Sequence, residues 1–93
     1  MSWCDNYESA AYKVGNRYLA IQTADGGYDY TVYNASYIVE DGGVFNTDKS
    51  IKDAAIEIMQ SNGFDLSGSI KEVDYDFLEE SAQLQGAAIM GLL

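Results

Sequence analysis

The sequence has no histidine and no proline, a single cysteine, Cys4, and only five lysines and arginines. Each shortage excludes something. Without histidine there is no ordinary His-containing zinc site and no imidazole for general-base work. Cys4 cannot close an internal disulfide, and it has no histidine partner to activate it as a nucleophile. A reducing, cytoplasmic setting fits that usage. The lack of proline argues against long stiff linkers. No run approaches the roughly 20 apolar residues of a membrane helix, and Met1 to Asp5 lacks the basic and apolar regions of a secretion signal. A soluble protein without membrane attachment is expected.

The chemistry-bearing motifs are missing too. There is no Gly-x-Ser-x-Gly elbow and no glycine-rich phosphate loop. A calcium loop begun at Asp74 would place Leu78 at its fifth position and lacks the glycine at the sixth. One begun at Asp65 has Ser67 and Ser69 at ligand positions but Ile70 where glycine is needed. A two-carboxylate glycosidase needs a deeper cleft than one small core provides. The expectation is a non-enzymatic chain with no catalytic residues, metal or cofactor.

What is present reads as one small α+β domain over residues 1–93, with 47% hydrophobic content and room for one core. Two tyrosine-rich, period-two runs, Tyr18 to Gln22 and Tyr28 to Tyr33, flank Asp25-Gly26-Gly27, a hairpin signal that suits a type I′ or a bulged three-residue turn. Tyr37-Ile38-Val39 offers a third strand, with a bulge or strand end at Asp41-Gly42-Gly43. The expected sheet is therefore a three-stranded antiparallel β-meander over 17–45. It packs against one to two C-terminal helices.

The first helix, 50–62, follows from Ile51, Ala54, Ala55, Ile58 and Met59 at helical spacing, with Ser50 and Asp53 as a capping-box variant and Asn62-Gly63 as its stop. Ile56 lies off that stripe, as incidental surface or a contact. The second helix, 74–91, has Asp74 as N-cap, a Val73–Leu78 staple and an expected inner stripe of Phe77, Ser81, Leu84, Ala88 and Leu92. Gly86 and Gly91 weaken its end, and Gly86 to Leu93 packs into the core or forms a self-association face. Asp5 and Glu8 have capping-box spacing, which suggests a short N-terminal helix over 6–13.

Charge is the main functional clue. Fifteen acids against five cations give a net charge of −10, which disfavours direct nucleic-acid binding because a phosphate polyanion is repelled. The acids thicken at Glu72, Asp74, Asp76, Glu79 and Glu80. The last three share a helix face and form a row that can engage arginines meant for a phosphate backbone. The plain alternative is a solvated face. Glu40 and Asp41, with Asp25 and Asp29, make a second acidic group. The candidate partner-binding residues are Asp74, Asp76, Glu79 and Glu80, with Tyr28, Tyr30 and Tyr33 as aromatic anchors or ordinary strand residues.

The run Tyr12 to Thr23, then Gly27-Tyr28-Asp29-Tyr30-Thr31 and Asp41-Gly42-Gly43, resembles the small large-polyvalent-protein-associated domains of Firmicutes plasmids, conjugative elements and phages. The similarity spans 12–63. It implies residence in a mobile element, beside proteins that manage DNA transfer or blunt host defences, and it implies no catalytic residues. Joined to the charge, it suggests an acidic, DNA-mimicking, anti-CRISPR-like inhibitor of a basic nucleic-acid-binding defence protein such as a CRISPR effector. The alternative is a structural or scaffolding module of a conjugation or phage machine, with a homodimer through the C-terminal helix.

Overall fold

Side chains alternating every second residue give this sheet two apolar faces, and each face is covered by one helix. The computed structural model describes residues 7–89. The elements run β1 (Ser9–Val14), β2 (Arg17–Ala24), β3 (Gly27–Tyr33), β4 (Val39–Asn46), α1 (Ile51–Ser61), β5 (Lys71–Val73) and α2 (Tyr75–Ile89). The five strands form one antiparallel sheet in the order β4-β3-β2-β1-β5. The first four strands make a meander. The chain then crosses the sheet through α1 and returns at the far edge as β5.

The class is α+β, as expected, but the sheet has five strands rather than three. The N-terminal stretch read as a helix over 6–13 is strand β1 from Ser9 onward. The capping signal there is local, whereas Ser9–Val14 pairs with β2 on one side and β5 on the other. Burial on both faces, with Ala11 and Tyr12 adjacent and covered, selects a central strand. β5 escaped the sequence because three residues carry no period. The third predicted strand begins at Val39, not Tyr37, and runs through Gly42-Gly43 to Asn46. The bulge expected at Asp41-Gly42-Gly43 lies just before it: those three residues pair regularly, while Val32 pairs with Asp41 and Tyr33 with Val39, which leaves Glu40 as the extra residue. The Tyr30 side chain, hydroxyl and ring edge, lies 3.6–3.7 Å from where a Gly43 side chain would begin, filling the space that glycine leaves open.

At the β2–β3 turn Gly26 has φ +78°, whereas Tyr37 is the non-glycine residue with positive φ among those described. A type I′ turn needs positive φ at Asp25 as well, so that alternative is excluded. Gly27, just beyond the turn, sits where an added Cβ would meet the Phe45 carbonyl oxygen at 2.2 Å. Only glycine lets β3 and β4 approach this closely.

The face under α1 holds the larger core: Tyr12, Val14, Leu19, Ile21, Tyr28 and Val32 pack against Ala54, Ala55, Ile58 and Met59, with Phe64 also buried there. α1 begins where the Ser50 hydroxyl accepts from the Asp53 amide at 3.2 Å. It ends with Gly63 at φ +75° and the Phe64 amide donating to the Met59 carbonyl at 3.0 Å, a Schellman closure. Ile56 is half-buried against this core. Arg17 ties the face together: it donates to the Asn62 carbonyl at 2.8 Å, pairs with Glu40 at 2.9 Å and lies 4.2 Å from the centre of the Phe64 ring.

The opposite face is thinner. Ala11, Ala20, Tyr33 and Leu78 are its buried members, with Tyr18, Tyr37, Val73, Tyr75 and Ala82 packed around them. The expected inner stripe of α2 is corrected here, because Phe77 and Leu84 are 62% and 60% exposed while Leu78 is 1% exposed. The Asp74 cap and the contact between Val73 and Leu78 set the entry of the helix, and together they rotate Leu78 and Ala82 onto the sheet. Ala88 and Leu92 of that stripe lie outside the described side chains.

Candidate protein-binding surface

The first turn of α2 is organised by Asp74, whose Oδ1 accepts from the Asp76 amide at 2.9 Å and the Phe77 amide at 3.4 Å. A carboxylate here satisfies amides that the helix leaves unpaired. Asp74 therefore has a structural task. Asp76 and Glu80 are exposed, whereas Glu79 is half-buried and accepts a hydrogen bond from the Tyr33 hydroxyl at 2.9 Å. The predicted row is thus divided: two carboxylates face water and one faces the sheet.

The three candidate tyrosines divide as well. Tyr28 and Tyr30 project toward α1, and the buried Tyr28 hydroxyl donates to the Lys49 carbonyl at 2.7 Å. Tyr33 projects toward α2. No single surface presents all three. Burial, and then the neighbouring Glu79 carboxylate, push the Tyr33 phenol well above the ordinary tyrosine range. Burial also raises Tyr30, with Asp41 adding to it.

Beside Tyr33, the structure assembles a group that sequence spacing did not reveal. The Tyr75 and Tyr7 hydroxyls both donate to Gln22 Oε1, at 3.2 and 2.8 Å. The Tyr75 phenol is pushed up to about 12, first by burial and then by Glu79, with Tyr7, Asp76 and Asp29 adding to it. Asp29 of β3 therefore joins the acids of α2 around Tyr75. Glu40 and Asp41 do not, since Glu40 is bound to Arg17 and Asp41 lies near Tyr30 on the α1 face. Asp25 stays exposed at the hairpin tip.

On the other flank of α2 the charge changes sign. Lys13 and Lys71 occupy directly paired positions of β1 and β5. With Tyr18, Tyr37, Val73, Phe77 and Leu78 they line a cavity of about 240 Å³. Tyr18 and Tyr37 stack with ring centres 5.3 Å apart and planes at 24°. The Lys13 ammonium lies 5.7 Å from the centre of the Tyr18 ring. Tyr37 holds its place with φ +63°, a backbone conformation that costs a non-glycine residue about 1–3 kcal/mol. Asn34 supports it, as its Oδ1 accepts from the Ser36 and Ile38 amides at 2.8 and 3.1 Å. None of this was readable without β5, because the two lysines meet only through the strand pairing.

Among the described residues no cluster of three or more acids or cysteines is arranged to hold a metal ion, and no helix is long and apolar enough to cross a membrane. The fold and this surface define a class: a small α+β domain with an antiparallel sheet between two helices and a charged, tyrosine-rich helix face. The chain belongs to the family of large polyvalent protein-associated domain 16, whose model matches residues 5–85. The match reaches beyond the stretch that carried the resemblance and takes in β1, β5 and most of α2. No curated protein and no solved structure matches the chain.

Proposed function

We propose that this domain is a non-enzymatic, acidic protein-binding module of a mobile genetic element, acting as an anti-CRISPR-like mimic of DNA. The observation that carries the reading is the acid group of the α2 face, where Asp76 and Glu80 are exposed and Asp29 and Glu79 stand beside Tyr75. In a chain of net charge −10 such a group attracts a basic partner from a distance and repels nucleic acid. The partner is a protein whose arginines and lysines otherwise hold a phosphate backbone, with a CRISPR effector as the concrete case. Asp76 and Glu80 make the contact. Asp74 and Glu79 hold α2 in position.

The test uses purified CRISPR effectors loaded with guide RNA. Binding of this domain should be displaced by target duplex DNA, and Asp76→Lys with Glu80→Lys should abolish it. Binding that persists beside bound DNA would remove the mimicry. A second reading, a scaffolding module that self-associates through α2, is favoured by the exposure of Phe77 and Leu84 seven residues apart on that helix. It predicts a dimer by light scattering that becomes a monomer when Phe77 and Leu84 are both changed to serine or residues 86–93 are removed.

A further inference from the structure

We propose that the cavity between β1, β5 and α2 binds a nucleoside monophosphate, with its phosphate between Lys13 and Lys71 and its base against the Tyr18, Tyr37 and Phe77 rings. Lys13 and Lys71 pair directly across antiparallel strands, where side chains leave the backbone only about 5 Å apart and like charges destabilise the pairing. Neither lysine belongs to the ion pairs formed among the described residues, which are Arg17 with Glu40 and Lys49 with Glu57. A chain with fifteen acids places two of its five cations at paired positions, and among the described residues neither has a carboxylate partner. An anion between them relieves the repulsion.

The rest of the wall selects the kind of anion. Tyr18 and Tyr37 are stacked, and Phe77 is 62% exposed at the same cavity. Tyr37 reaches that stack from a left-handed backbone position that a glycine would occupy without strain. An aromatic wall beside a cation pair suits a planar ring carrying a charged group. Ammonium groups act as point charges, which fits a phosphate rather than the planar fork that a carboxylate shares with arginine. At about 240 Å³ the cavity has room for a single nucleotide and not for a longer chain. The net charge of −10 opposes a longer polyanion while leaving a small anion to the local lysines.

The experiment is a titration of the whole chain followed by backbone amide NMR, with adenosine monophosphate, adenosine, inorganic phosphate and a single-stranded oligonucleotide as separate probes. Adenosine monophosphate should shift the amides of Lys13, Tyr18, Tyr37, Lys71 and Phe77, more strongly than adenosine or phosphate alone. Lys13→Gln and Lys71→Gln should each weaken it about tenfold, the effect of losing one charged hydrogen bond. Tyr37→Gly removes the ring at a position whose backbone suits glycine, so it should weaken binding while leaving the amide spectrum folded. Unshifted amides at millimolar nucleotide, or wild-type affinity retained in both lysine variants, would overturn the site. Tighter binding of the oligonucleotide than of the mononucleotide would overturn it in favour of a nucleic-acid interface.

Discussion

The two faces of the sheet are built on opposite plans. Under α1, large side chains such as Leu19, Ile21, Val32, Ile58 and Met59 fill one continuous core. Under α2, Ala11 and Ala20 sit where the first face has Tyr12 and Leu19, and Leu78 is the large aliphatic side chain buried there. Small residues let the helix lie close, but they bury less apolar area, at roughly 25 cal/mol per Å². The α2 face makes up part of the difference with polar ties, from Tyr33 to Glu79 and from Tyr75 to Gln22. A face held by one leucine and several hydroxyls leaves room for charge and rings at its flanks. The face under α1 holds the fold, and the face under α2 carries the surface chemistry.

That contrast can be broken most directly in the larger core. Ile21→Ala should cost about 2–5 kcal/mol of global stability in urea denaturation. Leu78→Ala should cost less globally and instead strip hydrogen-exchange protection from the α2 amides while those of β2 stay protected. Equal global losses, with α2 still protected, would show that both faces unfold as one unit.

Gly27→Ala tests what the faces share. The new Cβ would meet the Phe45 carbonyl oxygen at 2.2 Å and Asn46 Cα at 2.7 Å, both backbone atoms with little freedom to move. A loss of about 1–3 kcal/mol is expected, with broadened amides along both β3 and β4. A wild-type spectrum would mean that the edge strand yields.

A smaller effect should follow at Arg17. Arg17→Ala leaves the Asn62 carbonyl at the end of α1 without its donor and should cost about 1–2 kcal/mol by thermal denaturation. Glu40→Ala should cost under about 1 kcal/mol, because the pair it breaks is partly exposed, at 26% and 37%. If the glutamate variant proved the weaker of the two, the ion pair and not the helix cap would be the tie.

The mildest perturbation is alkaline pH. Tyr33 and Tyr75 have folded-state pKa values above the unfolded tyrosine value of 10.0, Tyr75 reaching about 12. Their contribution is therefore complete below pH 10.0 and is lost as pH rises through the folded values. Absorbance titration of tyrosinate should show late-titrating tyrosines, with one fewer of them in Tyr33→Phe. The α2 amides should lose protection before those of α1. Simultaneous loss on both faces would remove the distinction.

The parts of this fold that were legible in the sequence are those decided by neighbours along the chain. The Ser50 cap, the Asn62-Gly63 stop and the spacing of Ile51 through Met59 state α1 locally, and Asp25-Gly26 states the hairpin. β1 was misread because its local capping signal competes with pairing to two strands that lie elsewhere in the sequence. The stripe of α2 was misread because Phe77 and Leu84 share a period as good as that of Leu78 and Ala82, and docking of Val73 decides between them. The acids were visible as composition. That Asp29 approaches Tyr75, and that Lys13 faces Lys71, depends on sheet register, which spacing does not encode.

The bulge at Glu40 has one more consequence. β4 is an edge strand with Val39 and Val44 about 60% and 58% exposed, the kind of border along which proteins stack into unwanted ribbons. The extra residue interrupts the regular row of backbone donors and acceptors, and Glu40 and Asp41 add adjacent negative charges to it. A second molecule aligning the same border would set carboxylate against carboxylate. The extra residue that pairs with Arg17 thus also breaks the regular edge to which a second copy would add a strand.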